Sequence, residues 1–234
     1  IEKIDKLLPI ASGCGSKVSM GERIAAMILN GLGFIDCRLY MFPEFLEKKA
    51  VNRLFERALD PEWFNDDTIG RCLDAIAAHG VTQLFTELSF EIGQEKGLLG
   101  RSVHFDTTTL QVYGQYEVEE EDEEIAVPAR GYSKSKRHDL KQMVLNLATT
   151  GKANFPIWME PHSGNTSDKE ILAASAERMQ QLCNQLQQSP SFLYVGDSAL
   201  YSNVLPHSHQ LNWLTRVPET ILPAKQLVRK KEAD

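Results

Sequence analysis

Two short stretches of this chain carry the residue types for metal-assisted chemistry, His104-Phe105-Asp106-Thr107 and Val195-Gly196-Asp197-Ser198. Each places one carboxylate where an apolar, β-prone run ends. Carboxylates are hard oxygen donors. Neither has a His or Cys beside it at a zinc-like spacing, so the pair favours Mg²⁺ or Mn²⁺ as cofactor over zinc. The chemistry that such a pair serves best is phosphoryl transfer. Taken singly, Asp106 reads equally as a strand-end acid bonded to a nearby amide, and Asp197 as a turn acid. Only a sheet that aligns the two makes them a site. A half-buried Asp between Phe105 and Val195 would then need a cation to offset its desolvation.

Two polar stretches lie between these acids. In Gly131–Lys141, five potentially cationic side chains, Lys134, Lys136, Arg137, His138 and Lys141, fall within eight residues. Beside a metal site they would hold phosphates. Alone they read as a solvated basic turn. The loop Pro161–Asp168 offers Asn165 to a phosphate, or is a plain turn and helix cap. His207-Ser208-His209 has no local carboxylate or Cys to complete a metal set and reads as a loop.

The elements that must position these residues follow from periodicity. Val103–Val112, Lys141–Thr149, Phe155–Glu160, Ser191–Val195 and Leu211–Val217 read as strands. Between the third and fourth, Lys169 to about Gln188 reads as a helix capped by Asp168, with Leu172, Ala176, Met179, Cys183 and Leu186 on its buried side. Three strands joined by hairpin-length links, then a helical crossover to a parallel neighbour, describe a ribonuclease-H-like core.

Residues 1–98 read instead as short helices, a DNA-binding or plain packing domain, ahead of a core over 99–234. Ser19 with Glu22 forms a capping-box signature, and Asn65-Asp66-Asp67-Thr68 offers caps for a helix from Ile69 to His79 whose apolar face is Ile69, Leu73, Ile76 and Ala77. Further helices are expected over 44–49, 50–59 and 81–92.

The formal charge of −7 has one source. Glu117, Glu119, Glu120, Glu121, Asp122, Glu123 and Glu124 supply seven acids with no base among them, so the remainder is balanced and DNA is not excluded. The four cysteines, Cys14, Cys37, Cys72 and Cys183, form no C-x-x-C pair, which fits a reducing cytoplasm. No apolar run approaches the roughly 20 residues of a membrane span. Ile1 is not an initiator Met, which implies a part of a longer product.

Eight stretches, in order along nearly the whole chain, resemble the DDE transposases of bacterial insertion sequences, in the subgroup with a helical N-terminal domain before a ribonuclease-H-like core. They are MGERIAAMILNGLGF (20–34), LYMFPEFLEKKAVNRLF (39–55), NDDTIGRCLDAI (65–76), HFDTTTL (104–110), GYSKSKRHDLKQMVLNL (131–147), HSGNTSDKE (162–170), VGDSALYS (195–202) and WLTRVPET (213–220). The resemblance implies that Asp106 and Asp197 are the first two catalytic, metal-binding acids, that Lys134, Lys136, Arg137, His138, Lys141 and Asn165 contact DNA, and that the partners are transposon-end and target DNA, with a homodimer on paired ends. The family's third acid is a Glu within a Y-x-x-R-x-x-x-E-x-x-x-x-x-x-K pattern. Neither Glu219 nor Glu232 fits it, so the resemblance implies a C-terminally truncated transposase. Three readings follow: a transposase fragment, a non-catalytic DNA-binding or regulatory remnant, and a metal phosphatase, which would bring further His or Asp ligands near the two acids.

Overall fold

The computed structural model describes residues 1–10, 15–34, 38–116, 125–132, 136–186, 191–204, 211–218 and 220–229. The acidic run, Lys134, Cys14, Cys37, the His207/His209 pair, Glu219 and Glu232 lie outside the described residues. The chain divides into two compact units, Ile1–Leu84 and Phe85–Asp234.

The first unit is helical: α1 (Glu2–Leu7), α2 (Met20–Leu29), α3 (Phe42–Glu47), α4 (Val51–Leu54) and α5 (Asp66–His79), with the start of α6 (Val81–Glu95). The capping box forms as its residues dictate. Ser19 Oγ accepts from the Glu22 N–H, and the Glu22 carboxylate accepts from the Ser19 N–H at 2.7 Å. Glu22 also takes a two-pronged contact from Arg57, at 2.6 and 2.8 Å. Burial alone would raise its pKa, but the Arg57 hydrogen bond and the backbone cap outweigh that and hold it below the usual value. α2 runs directly into a π-helical turn over Asn30–Phe34. The helix expected over 50–59 shrinks to Val51–Leu54, because Leu59 turns back and donates its N–H to Asn52 Oδ1. On α5 the buried positions are Ile69 and Cys72, while Leu73 is exposed. The step of three from Ile69 to Cys72 sets the inward stripe, so the expected face was one residue off. Phe42, Phe45, Leu46, Phe55 and Phe64 fill the core.

The second unit is built on a sheet of β1 (Ser102–Val112), β2 (Lys141–Thr150), β3 (Phe155–Ser163), β4 (Leu193–Gly196) and β5 (Asn212–Thr215), in the order β3-β2-β1-β4-β5. β1, β2 and β3 are antiparallel neighbours, and β4 and β5 run parallel to β1. This is the ribonuclease-H-like order, in an α+β architecture. The link between β1 and β2 is not hairpin-length, since residues 113–140 intervene. The helix α7 (Asp168–Gln185) provides the crossover to β4, and its Leu172, Ala176, Met179 and Cys183 are buried as expected, against Phe105, Ala148, Trp158 and Tyr194. Asp168 is its first residue, and the chain enters with the Ile171 N–H donating to the Ser167 carbonyl. Two further helices, α8 (Ser198–Val204) and α9 (Leu222–Arg229), were not foreseen. Phe90 of α6 packs on Phe192 in this second core, so that helix runs past the dividing point.

Candidate active site at the junction of the antiparallel and parallel strands

β1 and β4 pair in parallel with Ser102 opposite Leu193, Val103 opposite Tyr194 and His104 opposite Val195. Every pair is offset by ninety-one positions, the separation of Asp106 from Asp197. Continued two residues past its last pair, this register would set Asp197 beside Asp106, although β4 itself ends at Gly196. Alternation along β1 turns Val103, Phe105 and Thr107 inward, and His104, Asp106 and Thr108 outward. Asp106 and Asp197 are both exposed, which corrects the expectation of half-buried acids. At this level β4 ends and α8 begins, while β1 continues beside β2 to Val112.

Each carboxylate has one oxygen engaged by backbone. Asp106 Oδ1 accepts from the Thr107 N–H at 2.9 Å, and Asp197 Oδ1 accepts from the Ala199 N–H at 2.8 Å, capping α8. The Asp197 carbonyl is fixed in turn by the Thr215 hydroxyl of β5. For each acid Oδ2 has no partner among the described residues. Asp106 lies within β1 rather than at its end, which corrects the expectation for that acid, and Asp197 follows the end of β4; two such solvent-facing oxygen donors fit a hard divalent cation. Among the described residues, no three His, Cys, Asp or Glu side chains gather as a complete metal set.

The basic stretch lies farther along the strands. Gln142, near the start of β2, donates from Nε2 to the carbonyls of Tyr132 and Gly164, at 3.1 and 2.8 Å. This ties the basic loop to the turn that holds Asn165. Gly131 and Gly164 approach so closely there that a Cβ on Gly164 would run into the carbonyls of Gln142 and Ala129. Gln142 faces Gln111, five residues from Asp106 along β1, or roughly 17 Å at about 3.4 Å per residue. The basic loop and the acids thus belong to one sheet but to different levels of it.

The cations there are less free than their count suggests. Arg137 makes a two-pronged contact with Asp139, at 2.8 and 2.7 Å. That hydrogen bond raises the Arg137 pKa and holds the exposed Asp139 carboxyl at about 2. Lys141 Nζ donates to the Tyr116 carbonyl at 2.7 Å. Lys136, at a positive φ of 61°, His138 and Asn165 are exposed. Arg130, just ahead of the stretch singled out from sequence, adds its charge near Asp139.

Sequence reasoning missed the acid that is best anchored. Glu160 of β3 lies on the α7-covered face, in a cross-strand row with buried Asn146 and Thr107. It accepts from Arg178 Nε at 2.6 Å and from the Ser175 hydroxyl, and His162 Nε2 stands 3.2 Å away. Burial would raise its pKa, but the bonds from His162, Arg178 and Ser175 outweigh that and hold it at about 2. It points to the opposite face from Asp106 and staples β3 to α7. The alternation Trp158, Glu160, His162 carried this signal.

A family described as a domain of unknown function (DUF4277) matches residues 1–90. No match is found among the curated proteins. Among solved structures, the Mos1 transposase paired-end complex with left transposon end is 11% identical, with a TM-score of 0.30, over 88% of this chain and 61% of that one. The Mos1 mariner paired end complex with Mn is 11% identical, with a TM-score of 0.30, over 89% and 62%. The piggyBac transposase synaptic complex with hairpin DNA is 12% identical, with a TM-score of 0.40, over 99% and 50%. The chain thus spans about half to three fifths of those proteins' lengths, and the fold assignment rests on the strand order of the sheet itself.

Proposed function

We propose that this chain is part of a DDE-type DNA transposase, and that Asp106 and Asp197 are two of its metal-binding acids. The ninety-one-position offset shared by the parallel β1–β4 pairs and by the two acids supports this reading. A bound Mg²⁺ or Mn²⁺ would supply Lewis-acid stabilisation of charge at phosphorus and a more acidic attacking hydroxyl. The chain's own contribution is positional. Thr107, Ala199 and Thr215 fix the backbone around the acids, leaving Oδ2 of each for a ligand. The exposed Lys136 and His138, the Asp139-paired Arg137, Lys141 and Asn165 would follow a DNA backbone away from the site. Lys134 belongs to the same proposed contact, as does transposon-end binding by the helical unit, within a homodimer on paired ends.

Calorimetric titration of Mn²⁺ into the chain, Asp106→Asn and Asp197→Asn tests the site. Each substitution is expected to weaken binding at least tenfold while leaving the circular dichroism spectrum unchanged. Equal affinity in parent and both variants would sink the assignment.

The second reading is a non-catalytic DNA-binding remnant. It is favoured by the lack of a third metal-ligating side chain beside the two acids among the described residues. Mn²⁺-dependent nicking of a transposon-end duplex by this chain would rule against it.

A further inference from the structure

The helical unit contains a cationic cavity of about 440 Å³ that has no part in the strand-end site. Its lining includes Arg23, a residue only 7% exposed. Nη2 donates to the Ser16 hydroxyl at 2.6 Å and the Val18 carbonyl at 3.2 Å, and Nη1 to the Thr68 carbonyl at 3.4 Å. All of these acceptors are neutral. Nε is buried and has no partner among the described residues. No described carboxylate pairs with this charge. A buried cation without an anion is costly, and chains generally pair one or leave a place for a ligand that does.

The cavity wall adds two more cations. Lys17 Nζ stands 5.2 Å from the centroid of the Trp63 ring, which restrains the ammonium at the opening. Arg71 of α5 also lines the cavity, and Glu62 is the one carboxylate among the lining residues. Three cations against one acid, with the most buried held rigidly, make a pre-organised oxyanion receptor rather than a general basic surface.

We infer that this cavity binds a phosphate group, with Arg23 supplying the buried charge and Lys17 and Arg71 closing on the oxygens. Two sources share that chemistry, a backbone phosphate of DNA and a free phosphate ion. The DNA source is the one we assign, and that part rests on the transposase reading; the site itself does not.

Two titrations of the full chain separate these points, each run on the parent and on Lys17→Gln/Arg71→Gln, whose exposed positions spare the fold. In the first, inorganic phosphate is followed by the Trp63 indole N–H in proton–nitrogen spectra. In the second, a labelled duplex is bound at several salt concentrations. Saturable indole shifts in the parent, weakened at least tenfold in the double variant, are expected, along with a DNA salt slope lower by about 2. Phosphate binding lost with an unchanged DNA slope would keep the receptor and overturn the DNA source. Identical phosphate responses in parent and variant, or none in either, would overturn the site. Failure of Mn²⁺ binding at Asp106 and Asp197 would leave all these outcomes readable.

Discussion

At the scale of single residues, the second unit holds exposed acids and one acid that braces the fold. Asp106 and Asp197 face solvent with an oxygen to spare, whereas Glu160 has its oxygens committed beneath α7. Its pKa in the fold, about 2, lies below the ordinary 4.5. The stabilisation it gives is therefore complete above pH 4.5 and is lost as pH falls from there toward 2. Glu160→Gln is expected to cost about 1–3 kcal/mol at neutral pH and to flatten the fall of melting temperature between those pH values. A variant with the parental acid profile would show that the staple is not what acid removes. Asp106 and Asp197 were legible in the sequence because each ends an apolar run. Glu160 was not singled out, because the apolar Ile157 and Pro161 obscure the alternation of Trp158, Glu160 and His162 that places it inward.

At the scale of elements, the strands were the most legible features. β-branched and aromatic runs carry a period of two whatever surrounds them, and α7 announced itself by the stripe from Leu172 to Cys183. Short helices were less legible, since their ends are fixed by tertiary bonds. α8 follows Asp197, whose side chain caps it, yet Gly-Asp-Ser reads equally as a turn. α4 ends where Leu59 reaches Asn52. The turn after β3 depends on a contact no local pattern displays, the meeting of Gly164 with the Gln142 and Ala129 carbonyls. Gly164→Ala is expected to destabilise the second unit by roughly 1–3 kcal/mol through overpacking, read from the denaturant midpoint. A midpoint equal to that of the parent would mean that the turn shifts freely, with the basic loop tied only through Gln142.

At the scale of the whole molecule, two hydrophobic cores exist, one around Phe42, Phe45 and Phe64 and one around Phe105, Trp158 and Tyr194. Separate cores predict that heat unfolding departs from two-state behaviour, with a calorimetric enthalpy larger than the van't Hoff value. Equal enthalpies would mean that the units unfold as one. No described helix is long and apolar enough to cross a membrane. The offset between β1 and β4 has a consequence for how such chains diverge. The level of Asp197 beside Asp106 is set by the ladder, not by the count of residues between them. Residues 113–140 connect β1 to β2 in sequence, and among the described ones only Ala129 forms a bridge, to Gln142 of β2. Lengthening such a connection is cheap, since each doubling costs only about 0.6 kcal/mol of closure entropy. Insertions and deletions there would change the spacing of Asp106 and Asp197 in sequence while leaving the β1–β4 pairing unchanged, so a rigid spacing between the two acids would not be shared by chains that keep the same strand pairing.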